Sequence, residues 1–140
     1  MSTILITGAC GLIGSRLSEW IYDNTDHDMI LVDDLSGGSL DNIAHLPYIG
    51  GVGGWPKTGR TTFCMADAAS ADLDALFRIY SVDYIVHLAA YAAEGLSPFI
   101  RKFNYQNNLI TTANLINLGI KYGIKRFVFT SSMAVYGNNT

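Results

Sequence analysis

Apolar and polar positions follow two distinct periods along the 140 residues. Five short runs are apolar almost throughout: Thr3-Ile4-Leu5-Ile6-Thr7, Met29-Ile30-Leu31-Val32, Thr61-Thr62-Phe63-Cys64-Met65-Ala66, Tyr84-Ile85-Val86-His87-Leu88 and Arg126-Phe127-Val128-Phe129-Thr130. Continuous, β-branched apolarity of that length predicts strands buried on both faces. Between them the spacing turns helical. Leu12, Ile13, Leu17, Trp20 and Ile21 recur on one side, with Ser15, Arg16, Glu19 and Asp23 on the other, which predicts a helix that faces the sheet with its large apolar residues. A second helix is expected from about Ser70 to Tyr80, with Ser70 as N-cap and Leu73, Leu76, Phe77 and Tyr80 on one face. A third and longer one is expected from Ser97, as N-cap before Pro98, to Tyr122, stopped by Gly123. Its apolar residues, among them Phe99, Phe103, Leu109 and Leu115, cover more than one stripe and so demand burial on two sides. Leu40 to Leu46 reads as a short helix, and Ser36-Gly37-Gly38-Ser39 as a flexible connection.

Strands alternating with amphipathic helices argue an α/β fold, a doubly wound parallel sheet of order 3-2-1-4-5. Ligands bind in such sheets beyond the carboxyl ends of the strands, near the point where the order reverses. The candidate chemistry sits there. Gly8, Gly11 and Gly14 join the first strand to the first helix. Glycines at that junction permit a tight turn, close backbone approach by a pyrophosphate and close helix–strand packing, and the helix N-terminus supplies N–H groups and a positive dipole end. The spacing is Gly-x-x-Gly-x-x-Gly rather than Gly-x-Gly-x-x-Gly, so by itself it fits a simple turn as well as a nucleotide site. Asp33 follows the second strand, placed either to bind ribose hydroxyls or to cap a turn. An acid there repels a 2′-phosphate and favours NAD over NADP. Small residues follow the fourth strand at Ala89-Ala90, leaving room for a flat ligand.

Composition narrows the classes. With 49% hydrophobic and 15% charged residues and a net charge of −3, the chain lacks the basic footprint of a nucleic-acid binder. No apolar run has membrane-spanning length, and no basic segment precedes the first apolar stretch as in a signal peptide, so a cytoplasmic protein is expected. Cys10 and Cys64 have no metal-ligand spacing and read as reduced thiols. His27 and His45 fall in loops at unrelated spacing, so no metal site is expected. His87, inside an apolar strand, is expected to be structural rather than catalytic. Pro47 to Arg60 reads as a glycine-rich loop. Within it, Gly51-Val52-Gly53-Gly54-Trp55-Pro56-Lys57-Thr58 approaches a phosphate-binding loop, but Pro56 replaces the required glycine and no helical pattern follows. Trp55 is expected to anchor that loop by packing.

Thr7-Gly8-Ala9-Cys10-Gly11-Leu12-Ile13-Gly14, Asp33, His87-Leu88-Ala89-Ala90 and Phe129-Thr130-Ser131-Ser132-Met133-Ala134-Val135-Tyr136-Gly137 together resemble the extended short-chain dehydrogenase/reductase family. Within it they are most similar to nucleotide-sugar epimerases of the UDP-glucose 4-epimerase type. The resemblance implies that Leu12 and Ile13 lie against the NAD pyrophosphate, Asp33, Asp34 and Leu35 around the adenosine ribose, and Asp67 and Ala68 beside the adenine. Leu88, Ala89 and Ala90 would line the path to nicotinamide, Asn107 would contact the cofactor, and Ser132 would hydrogen-bond the reacting sugar hydroxyl. The implied reaction oxidises a UDP-sugar C4 hydroxyl with NAD and returns the hydride to the other face of the keto intermediate.

Met133-Ala134 stands where sugar 4,6-dehydratases carry Asp-Glu, which lowers the dehydratase alternative. Two departures qualify the resemblance, the first being Ala92 where the family has a lysine near nicotinamide. The family's Tyr-x-x-x-Lys base is absent from the 140 residues, since Tyr136 is followed by Thr140 at the lysine position. The resemblance thus implies an NAD-binding domain over 1–140, the N-terminal part of a roughly double-length homodimeric enzyme, inactive alone. A non-catalytic NAD-binding module, or another family member such as a dehydratase or reductase, is the alternative.

Overall fold

A computed structural model describes residues 1–51, 59–70, 72–92 and 95–137. β1 (Thr3–Thr7) is the centre of a parallel sheet, with β2 (Asp28–Asp33) on one side and β5 (Val82–His87) on the other. β4 (Thr61–Met65) and β3 (Ile49–Gly51) continue beyond β2, and β6 (Arg126–Phe129) beyond β5, in the order β3-β4-β2-β1-β5-β6. The five expected strands therefore stand in the expected 3-2-1-4-5 order. β3 is an addition, lying at the sheet edge inside the segment expected to be loop throughout. A three-residue edge strand is held by main-chain pairing to β4 rather than by a side-chain pattern, so its glycines conceal it. Trp55 and the rejected phosphate-loop likeness fall largely in 52–58, outside the described residues.

Successive strand residues point to opposite faces, so each apolar run feeds two cores. Leu5, Ile30, Val32 and Ile85 pack with Leu73, Leu76 and Phe77 of α2 (Leu73–Ile79) and with Leu115. Ile4, Ile6, Met29, Leu31 and Phe63 pack on the other face with Ile21 of α1 (Leu12–Asn24) and with Ile43 and Leu46. Ile43 closes a 3-10 turn, Leu40–Ile43, capped by Ser39, where a short helix was expected.

The α1 face differs from expectation. Gly14, Ser15, Ser18 and Ile21 are buried, whereas Leu12 is 80% exposed, Ile13 63% and Trp20 59%. The helix lies so close to the glycine turn that only small residues fit between them. Ser18 Oγ satisfies itself on Gly14 O at 2.7 Å, so the hydroxyl is buried with its hydrogen bond made.

α2 starts at Leu73 rather than near Ser70, because Ser70 bonds back to Asp67 through both its N–H and its hydroxyl. The long helix, α3, runs over 101–122 as Arg101–Asn104, a π-helical stretch Tyr105–Ile110, and Thr111–Tyr122. It begins after Ser97 and Pro98, whose region instead forms a turn closed by Phe99 N–H on Leu96 O. It ends as expected at Gly123, which takes the left-handed conformation (φ 66°) while Ile124 N–H returns to Gly119 O.

Candidate functional site

Parallel strands put their carboxyl ends on one edge, and the chain leaves β1, β2, β4 and β5 there into one cleft. The glycine turn forms its floor. Gly8 has φ +68°, and a Cβ on it would stand 2.7 Å from Ala89 N. A Cβ on Gly14 would stand 2.1 Å from Gly8 O and 2.8 Å from the Ala9 Cα. Both positions are closed to any side chain because backbone already occupies the space. Gly11 precedes α1 with ordinary φ and only Gly8 O nearby at 3.3 Å, so its bareness leaves the helix N-terminus open. No side chain caps that end, and no acid stands in its first turn. Its dipole and amides are therefore available to an anion.

Asp33 ends β2 as a buried carboxylate. Its Oδ2 accepts Cys10 N–H at 2.9 Å and its Oδ1 accepts Leu35 N–H at 2.8 Å, which ties the strand end to the glycine turn. Two of about four acceptor sites remain on the carboxylate, and Asp33 lines the cleft. Leu35 itself takes a left-handed conformation (φ 63°), an unusual one for leucine that reverses the chain immediately after Asp33 and Asp34. The following Ser36 to Ser39 connection, expected to be flexible, is pinned: Ser39 N–H donates to Cys10 O, and a Cβ on Gly38 would lie 2.7 Å from Cys10 C.

Across the cleft, Asp67 accepts Ala69 N–H at 2.8 Å and holds Ala68 in the wall. Leu88, Ala89 and Ala90 continue β5 past Gly8. Asn107 reaches the cleft from the π-helical part of α3, its Nδ2 anchored on Phe103 O at 2.9 Å.

Gly8, Gly11, Asp33, Asp34, Asp67, Ala68, Leu88, Ala89, Ala90 and Asn107 thus line one cleft, drawn from five parts of the chain. Leu12 and Ile13 are exposed on the first turn of α1, beside it. Gly14 lies beneath the floor, and Leu35 packs into the core on the α1 side. Ser132 is not among the lining residues. It is exposed after β6, where its Oγ accepts Ala134 N–H at 3.2 Å and starts a 3-10 turn, Met133–Tyr136. Gly37, Gly38, Tyr91 and Thr111 are cleft residues that the sequence did not single out. Two signals were available: a glycine pair directly after the acidic strand end, and a threonine four positions after Asn107 on the same helix face.

Other titratable groups resolve into structural roles. Burial pushes the Cys10 and Cys64 thiols up to about 12, so neither is a nucleophile near neutrality. Asp74, bonded to Lys121 and Tyr122 and paired with Arg78, is held well below the usual carboxylate range and joins α2 to α3. His87 is buried with both ring nitrogens bonded, and desolvation lowers its pKa to about 4. It is a neutral imidazole, in keeping with the structural reading. Among the described residues no three His, Cys, Asp or Glu converge as a metal set, and no helix is long and apolar enough to cross a membrane.

Residues 4–140 match the model of the NAD dependent epimerase/dehydratase family. The chain is 33% identical to a UDP-glucose 4-epimerase of Bacillus subtilis over 136 residues, which is 96% of this chain and 38% of that protein. It is 35% identical to a UDP-glucose 4-epimerase of Caenorhabditis elegans over 147 residues, covering 96% and 39%. A solved UDP-glucose 4-epimerase of Thermotoga maritima, with UDP-glucose, superposes with a TM-score of 0.81 at 28% identity, over 99% of this chain and 40% of that one. The UDP-Glc/GlcNAc 4-epimerase of Campylobacter jejuni gives 0.81 at 33%, over 98% and 39%. The chain therefore spans about two fifths of the length of these relatives.

Proposed function

The chain belongs to the NAD-dependent epimerase/dehydratase family, and we propose that residues 1–140 are the NAD-binding part of a nucleotide-sugar epimerase of the UDP-glucose 4-epimerase kind. One observation carries the cofactor reading: a cradle that a Cβ would fill at Gly8 and at Gly14 lies next to an uncapped helix N-terminus, with a buried carboxylate across from it. That set fits a dinucleotide. Gly8, Gly11 and the first amides of α1, with Leu12 and Ile13, would hold the pyrophosphate, and Asp33, Asp34 and Leu35 the ribose. Asp67 and Ala68 would flank the adenine, while Leu88 to Ala90 and Asn107 would border the redox end. Bound there, NAD would supply a reversible acceptor for the hydride that leaves the sugar C4 carbon as its hydroxyl becomes a ketone.

The chain's own part is to hold and orient. The backbone of the glycine turn meets phosphate charge with amides already in place, and Asp33 is fixed by two N–H donors before any ligand arrives. Ser132 would bond the sugar hydroxyl. The general base that takes the hydroxyl proton is not supplied by these residues, since no tyrosine among the 140 has a lysine four positions later. A UDP-sugar substrate, a cytoplasmic setting and homodimerisation through the outer face of α3 complete the proposal. On that face Leu109, Ile116 and Ile120 are exposed large apolar side chains.

Titration calorimetry tests the cofactor reading. NAD is expected to bind more tightly than NADP by ~10-fold or more, because a 2′-phosphate would face the Asp33 carboxylate. Asp33→Asn keeps an acceptor for Cys10 N–H, removes the charge and is expected to narrow the preference. Equal or tighter NADP binding by the wild type overturns it. A coupled assay tests the catalytic reading. With added NAD the 140 residues are expected to convert no UDP-galactose to UDP-glucose, and turnover abolished by Ser132→Ala would show that a base was overlooked.

A further inference from the structure

His87 is the largest polar side chain sealed inside the sheet, and the binding role proposed above does not use it. Its ring lies among the rings of Phe127 and Phe129, with centroids 6.2 and 5.9 Å away. An apolar residue would fill that space without the desolvation cost of two ring nitrogens, so what distinguishes imidazole here is its hydrogen bonds.

Their directions follow from the neighbours. Thr112 Oγ1 donates its one hydrogen to Asn108 O at 2.6 Å, so towards His87 Nε2, 2.9 Å away, it can only accept. Nε2 therefore carries the ring proton and Nδ1 is bare. Thr7 Oγ1, 2.6 Å from Nδ1, donates to it and accepts Ala89 N–H at 3.3 Å. The chain runs one way: Ala89 N–H to Thr7, Thr7 to His87, His87 to Thr112, Thr112 to Asn108 O. Asn108 then brackets the backbone of Tyr91, accepting its N–H at 2.7 Å and donating to its carbonyl at 3.0 Å.

Both ends of this relay finish on the segment that follows β5, at Ala89 and Tyr91. That segment presses on Gly8 at one end and lines the cleft along its length. The relay also passes through the π-helical stretch Tyr105–Ile110, which carries Asn107 into the same cleft one residue before Asn108. Wide helical turns of this kind concentrate at functional sites.

We propose that His87 is a positioning residue: as the Nε2–H tautomer it sets, through Thr7 and Thr112, the distance between the 88–91 wall and the Asn107 wall of the cleft assigned to NAD. The inference rests on that assignment.

The test joins NAD calorimetry with 15N NMR of the histidine rings. Thr112→Val keeps shape and removes the hydroxyl, and it is expected to weaken NAD binding about tenfold, the worth of one well-made buried hydrogen bond. Thr112→Ser restores the hydroxyl and is expected to recover binding to within about threefold of wild type. Ile85→Val trims a core residue of the same strand outside the relay and is expected to lower stability while leaving NAD affinity unchanged. The spectrum is expected to show His87 with a protonated Nε2 and a bare Nδ1, a reading that needs no variant. An Nδ1–H tautomer, or Thr112→Val binding NAD as tightly as wild type, overturns the inference alone. A wild-type chain that binds no NAD overturns the cofactor assignment and this inference together.

Discussion

Gly14→Ala is expected to destabilise the fold by about 3 kcal/mol or more, the upper range for overpacking a rigid site. Two effects compete. Alanine in place of glycine inside a helix favours folding by about 1 kcal/mol. Against that, the new methyl would sit 2.1 Å from Gly8 O and within 2.9 Å of Ala9 Cα and Gly8 C. All three are backbone atoms of the turn, so no rotamer change relieves the contact. Either α1 moves off the turn or the turn unfolds, and both disturb the Cys10 amide that Asp33 holds.

A glycine series separates this cause from a general intolerance of substitution. Gly123, unlike Gly14, has a left-handed φ of +66°, but nothing lies within 4 Å of a Cβ there, so Gly123→Ala is expected to cost only about 1–2 kcal/mol of left-handed backbone strain. Gly37 has open space around it and no left-handed φ, and its alanine variant is expected to fall within about 0.5 kcal/mol of wild type. Urea midpoints for the three variants decide the matter. Gly14→Ala ranking with Gly37→Ala would show that α1 is free to shift.

The sequence made the sheet legible because its information is local. Each strand is a short run that must be buried on both faces, and Leu5, Ile30 and Ile85 reach one core while Ile4, Ile6 and Leu31 reach the other. The cleft was legible for a related reason: its residues follow strand ends, and a parallel sheet gathers those ends on one edge. What failed depended on competition or distance. Ser70 and Ser97 both satisfy the rule for an N-cap, yet Ser70 bonds to Asp67 and α3 starts at Arg101. The inner face of α1 was read only in part: Leu17 and Ile21 reach the core, but close approach to a glycine turn adds Gly14, Ser15 and Ser18 and leaves Leu12, Ile13 and Trp20 outside, which hydrophobicity alone cannot signal. β3 is carried by main-chain pairing, which leaves no periodic trace. The His87 relay needs partners 80 residues before it and 25 after it, so the sequence could suggest a structural histidine but not name its bonds.

The second large effect concerns acid. From pH 7 down to about pH 4 the fold is expected to lose about 3 kcal/mol through His87 alone. In the unfolded chain this imidazole takes up a proton near its ordinary value of 6.5, whereas burial delays that step to about 4 in the fold. Between those values the unfolded state binds more protons, so stability rises with pH across the window. The contribution is complete above 6.5 and is lost as pH falls towards 4. Burial is the cause, reinforced by geometry: the imidazolium would present an N–H to Thr7 Oγ1, which already accepts from Ala89 and would have to reverse its own hydrogen.

Acidic groups act elsewhere on the scale. Asp74 and Asp83 are held below the ordinary aspartate value of 3.8 chiefly by hydrogen bonds to Lys121 and Lys125 respectively, so their contributions fade only as pH falls through that value. The two windows barely meet, and a measurement between pH 7 and 4.5 separates His87 from those two carboxylates. Urea denaturation across that range is expected to show a steady fall for the wild type. His87→Gln, which cannot titrate, is expected to be less stable at pH 7 and nearly flat below it. Equal wild-type stability at pH 7 and 4.5 would mean that His87 is protonated in the fold, with Thr7 turned round to receive it.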